Sequence, residues 1–112
     1  MLSDEPLFDD LSDLAGFLRL IGNPLRLKIL FHLLEEPCCV CELAEALHQR
    51  QPCISQHLML LRHIGLVDSQ HDSKKRLYYI SSDKLKHCLE YMKKSWLSTN
   101  AILVSSENDY ED

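Results

Sequence analysis

Apolar positions recur along this chain in two rhythms, and the change between them divides it. From Leu7 to Ile21 they fall at Leu7, Leu11, Leu14, Ala15, Leu18 and Ile21, one stripe of an amphipathic helix. Gly22-Asn23-Pro24 breaks that stripe. Asn23 can cap a second helix and Pro24 can open it, because the N–H that proline lacks has no helical partner there anyway. This second helix, to about Glu35, is apolar nearly all round (Leu25, Leu27, Ile29, Leu30, Phe31, Leu33, Leu34), which predicts the buried centre of the domain. Pro37 ends it. A short third helix over about Val40 to Leu47 turns Val40, Leu43, Ala44 and Leu47 inward.

A fourth helix starts near Pro52, with Ile54, Leu58 and Leu61 as its core stripe and Gly65 as its stop. The period then changes. Leu66 to His71 and Arg76 to Ser81 predict two strands around the polar tip Asp72-Ser73-Lys74-Lys75. A last helix, about Asp83 to Trp96, carries Leu85, Cys88, Leu89, Met92 and Trp96 on one face. The fold expected is mainly α with a small β-hairpin, and two short helices followed by a hairpin with a basic tip make a winged helix-turn-helix plan.

Charge sharpens this picture. The 112 residues carry a net charge of −5, unevenly spread. Residues 1–13, an acidic arm with the start of the first helix, hold five acids and no Lys or Arg. Residues 97–112, an acidic tail expected to be poorly ordered apart from its AILV run, hold four acids and again no base. The body, residues 14–96, has all 12 Lys and Arg against eight acids, so it is about +4 and compatible with DNA. No apolar run approaches the roughly 20 residues of a membrane span, and the acidic start is unlike a signal peptide. The expected setting is the cytoplasm, where five cysteines stay reduced and do not form a disulfide framework.

On the fourth helix the core stripe leaves Gln51, Ser55, Gln56 and His57 as candidate DNA readers, since Gln can pair bidentately with adenine and Ser can serve several partners. Lys74, Lys75 and Arg76 crowd the hairpin tip, where cations meet phosphate or the minor groove. Arg50 and Arg62 are weaker phosphate candidates, Arg62 having an internal ion pair as its alternative.

Three cysteines within four positions, Cys38, Cys39 and Cys41, stand where the third helix begins. That density is not the signature of packing. Thiolates suit soft ions, and a helix N-terminus favours the deprotonated thiol. A disulfide, Cys38–Cys39 or Cys39–Cys41, is the redox alternative. Cys88, on an apolar stripe, reads as core or interface packing, and Cys53 as a plain small residue in the first turn of the reading helix.

The runs NPLRLKIL, SQHLMLLRHIGLV and YYIS together resemble the ArsR/SmtB family, over about Leu18 to Met92. The resemblance implies a dimeric winged helix paired through its first and last helices. It also implies a repressor that leaves a double-stranded DNA operator on sensing a metal, metalloid or oxidant. CVCEL, from Cys39 to Leu43, resembles the family's CVCDL signature, which implies Cys39 and Cys41 as ligands for As(III), Sb(III), Cd(II), Pb(II) or Zn(II). The third cysteine of the arsenite-sensing pattern is replaced by Ala44, leaving Cys38 to complete three sulfurs. The family's last-helix site is not matched, because Asp83 is followed by Leu85 rather than His, and Phe31 stands where the persulfide sensors carry a cysteine. Catalysis is not expected: the six histidines are scattered, and three glycines form no phosphate loop. An interaction-only winged helix and a zinc-held structural domain are the other rivals. The first is opposed by the basic tip and the second by the lack of four ligands.

Overall fold

The computed structural model describes residues 7–97. The expectations for the arm up to residue 6 and for the tail from residue 98 lie outside them. The element order is α1 (Leu7–Ile21), α2 (Pro24–Glu35), α3 (Val40–Leu47), α4 (Gln51–His63), β1 (Val67–Asp72), β2 (Lys75–Ile80) and α5 (Asp83–Met92). One wider, π-helical turn over Lys93–Leu97 follows α5. The helix bounds follow the punctuation, except that the last helix, expected to about Trp96, is α-helical only to Met92. The Asn23 side chain accepts the Arg26 N–H at 3.0 Å with Pro24 in the first turn of α2, and Ser82 caps α5 through the Leu85 N–H at 3.1 Å. Gly65 takes a φ of 84°, so that its own N–H reaches the Arg62 carbonyl and the Leu66 N–H reaches that of Leu61, closing α4.

The core gathers the fully buried Ile29 and Leu30 of α2, Leu43 of α3, Ile54, Leu58 and Leu61 of α4, and Leu85 and Leu89 of α5. α2 is its centre, as its apolar circumference requires. β1 and β2 form a two-stranded antiparallel hairpin, with Val67 opposite Ile80 and Asp72 opposite Lys75. Its turn is only Ser73-Lys74, with Ser73 at a φ of 61°. This is tighter than the four-residue tip expected, and Lys75 therefore belongs to β2. The strand bounds differ from the expected ones by one residue, because Leu66 is still engaged in closing α4.

A further pairing has no counterpart in the sequence reading. Cys38 forms an antiparallel bridge to Tyr78, with N–H to carbonyl bonds of 3.1 and 2.8 Å in the two directions. The connection between α2 and α3 thus lies against β2 as a one-residue strand. Among the α1 side chains described, from Leu11 on, the fully buried one lies at its end. Ile21 is buried, while Leu11, Leu14 and Leu18 stay about half exposed at 48, 48 and 52%. Cys88 and Trp96, expected on one apolar face of the last helix with Cys88 packing in the core or an interface, are exposed in the single chain. Among the described residues no helix is long and apolar enough to cross a membrane.

Candidate nucleic-acid interface and thiol cluster

α4 packs Ile54, Leu58 and Leu61 inward, and this fixes what its other faces present. Gln51 and Gln56 are exposed and Ser55 is half-buried. His57 is not on the outer face. It leans on α2, where the Arg26 Nε donates to its Nδ1 at 3.3 Å while Arg26 Nη1 donates to the Leu20 carbonyl at 2.6 Å. The bond requires a bare Nδ1, so the ring proton sits on Nε2. Partial burial, and then the Arg26 charge, hold the imidazole below its ordinary pKa. His57 thus braces α4 against α2 and the end of α1. The sequence reading missed Met59, which is 66% exposed off the core stripe of the same helix.

At the hairpin, Lys74, Lys75 and Arg76 are all exposed. Arg76 reaches back across to β1, donating from Nη1 to Ser69 Oγ at 2.9 Å and meeting His71 Nε2 at 2.9 Å through Nη2. Lys75 Nζ lies 3.7 Å from Glu42 Oε2 on α3. Lys74 occupies the turn. Arg62 forms the internal ion pair expected as its alternative, 3.2 Å from Asp68.

The three clustered cysteines meet three different environments. Cys38 is buried, 3% exposed, with its Sγ 3.4 Å from His32 Nδ1 and 3.5 Å from the Glu36 carbonyl. Desolvation first, and then the charges of Glu42 and Glu36, push its pKa up, so it stays a thiol. It packs in the core rather than beside a ligand position. Cys39 is the half-buried N-cap of α3, and its N–H donates to Glu42 Oε1 at 3.1 Å. That bond, with one from the Cys39 thiol, lowers the pKa of Glu42 below the ordinary carboxylate value. Residue 42 occupies the glutamate position of a capping box, a signal that was legible in the C-x-x-E spacing. Cys41 is exposed on the first turn, and its Sγ accepts from Gln51 Nε2 at 3.6 Å. Cys53 Sγ lies 4.0 Å from Gln49 Oε1, and all five cysteines are free. Among the described residues no three His, Cys, Asp or Glu side chains gather as a metal site. Cys39 and Cys41 are the two thiols that reach the surface together at one helix end.

A helical core, a two-helix reading unit and a basic antiparallel wing beside it define a winged helix-turn-helix protein. Residues 23–69 match the family described as bacterial regulatory protein, arsR family. The HTH-type transcriptional repressor SmtB of Mycobacterium tuberculosis is 38% identical over 79 residues, 70% of this chain and 58% of that protein. The chain thus spans less than two thirds of that relative. The cadmium resistance transcriptional regulatory protein CadC of Listeria innocua is 33% identical over 82 residues, 72% of this chain and 69% of CadC. The solved structure of reduced HlyU from Vibrio cholerae superposes with a TM-score of 0.74 at 31% identity, covering 82% of this chain and 98% of that one. This chain belongs to the ArsR/SmtB family.

Proposed function

We propose that this protein is a cytoplasmic, homodimeric DNA-binding repressor that leaves its operator when Cys39 and Cys41 take up a thiophilic metalloid or metal ion. The observation that carries this reading is the 3.6 Å bond from Gln51 Nε2 to Cys41 Sγ, which joins the thiol pair to the first residue of the reading helix. Arsenite serves as the worked case. Arsenious acid condenses with two thiols, forming two As–S bonds and releasing two waters, with no change in oxidation state. Sulfur engaged with arsenic is a poorer acceptor, so Gln51 loses a partner and the start of α4 its tether. An ion that favours the DNA-incompetent arrangement lowers DNA affinity by the same factor that DNA lowers the affinity for the ion. Similarity to a protein named for cadmium resistance supports the soft-ion class. The dimer is supported by the half-exposed Leu14 and Leu18 of α1, which line one apolar groove with Tyr91 and Met92.

A second reading makes the same two thiols a redox switch. Oxidation by a peroxide joins them as a disulfide, and the peroxide leaves as two waters. Similarity to reduced HlyU supports this reading. The exposure of Cys41 and the burial of Cys38 direct it to the Cys39–Cys41 pair rather than Cys38–Cys39.

The deciding test is release from a promoter duplex, with arsenite and hydrogen peroxide titrated separately. On the metalloid reading, arsenite releases wild type, Cys39→Ser and Cys41→Ser abolish release, and Cys38→Ala preserves it. Release by peroxide alone, reversed by dithiothreitol, establishes the redox reading instead. Release that persists in both serine variants removes the cluster from sensing altogether.

A further inference from the structure

Glu42 stands between the thiol segment and the wing with one carboxylate oxygen on each. Oε1 accepts the Cys39 N–H at 3.1 Å, and Oε2 lies 3.7 Å from Lys75 Nζ on β2. The two residues are far apart in sequence and meet because the Cys38–Tyr78 bridge draws the α2–α3 connection onto β2. Both side chains are about half exposed, 50% for Glu42 and 59% for Lys75. An ion pair so wet adds little to stability. Its consequence lies in where it places charge. A carboxylate on Lys75 competes with any phosphate for the same ammonium group.

We propose that Glu42 is a positioning residue that holds Lys75 away from DNA and couples that hold to the state of Cys39 and Cys41. The coupling rests on the sensing reading above; the hold on Lys75 does not. While Cys39 keeps its capping conformation, φ −89° and ψ 167°, the carboxylate is divided between the helix N-terminus and the lysine. Drawing the Cys39 and Cys41 sulfurs onto one atom, or onto each other, reshapes the cap and releases Oε1. The carboxylate then serves Lys75 alone, its existing hold on that lysine tightens, and DNA affinity falls further. Asp72 stands opposite Lys75 on the hairpin.

The test uses the full chain and a promoter duplex, with binding followed by fluorescence anisotropy from 50 to 250 mM KCl. Glu42→Gln keeps a carbonyl for the Cys39 N–H and removes the charge, and a thermal melt checks that it folds. The expected result is tighter binding without arsenite and a log K against log salt slope steeper by about 0.9 for each lysine released to phosphate. In a Lys75→Gln background the same change must leave the slope unaltered. A slope that still steepens there reflects general loss of negative charge, and a slope equal to wild type in the simple variant shows that Lys75 was never held. Either result overturns the proposal. With arsenite, the affinity loss of Glu42→Gln should shrink at least threefold while arsenite uptake, read from its near-ultraviolet thiolate absorbance, is unchanged. An undiminished loss overturns the coupling. If wild type responds to neither arsenite nor peroxide, the sensing reading and its coupling fall, and the slopes still decide whether Glu42 holds Lys75.

Discussion

Three neighbouring cysteines with the same side chain are set apart chiefly by burial. Cys38 is shielded and held as a thiol beside His32, whereas Cys41 lies open to solvent on the first turn of α3. A thiolate-seeking alkylating reagent applied to the native protein near pH 7.5 should therefore label Cys41 early and Cys38 last, as mass spectrometry of timed samples would show. Early modification of Cys38 would contradict its placement in the core. Gly65 makes a second residue-level demand. A Cβ there meets no atom within 4 Å, so the only cost of Gly65→Ala is the left-handed backbone at φ 84°. That cost is about 1–2 kcal/mol, and Gly65→Asn should lose less, since asparagine tolerates this region better. Urea denaturation of the two variants checks the order.

Between elements, the Arg26–His57 bond ties α2 to α4 and carries a definite pH dependence. The folded protein holds His57 neutral to lower pH than the unfolded chain does. Stability from this site is therefore intact well above pH 6.5. It declines as pH falls through the unfolded value, because the unfolded chain takes the proton first. Between pH 8 and 5.5 the Tm of wild type should fall more than that of His57→Gln; parallel declines would show that His57 does not respond. This bond was not legible beforehand. The stripe Ile54, Leu58, Leu61 told which face of α4 is buried, but His57 lies at its edge, where only the neighbouring helix decides. The helices were legible because Asn23, Pro24, Pro37, Pro52 and Gly65 punctuate them with backbone constraints that act locally. The Cys38–Tyr78 pairing was not, since a single paired residue has no period to detect. At the thiol cluster the spacing of the cysteines could not tell that one of the three sulfurs faces the core.

For the whole molecule the unfinished feature is α1, whose leucines exceed what the body covers. Leu18→Glu should convert the proposed dimer into a monomer in sedimentation velocity and weaken operator binding more than tenfold, because one chain engages only one half-site. A variant that remains dimeric would exclude α1 from the interface. The short Cys38–Tyr78 ladder has a consequence of another kind, for which changes of length the chain can accept. Inserting one residue between Pro37 and Cys38 would leave the next side chain facing the opposite side of that pairing, so either the bridge breaks or Cys38 leaves the core. The Ser73-Lys74 turn at the far end of the hairpin carries no such constraint and faces solvent. Within this domain, natural variation in chain length should therefore collect at the wing tip and avoid the two residues before the thiol pair.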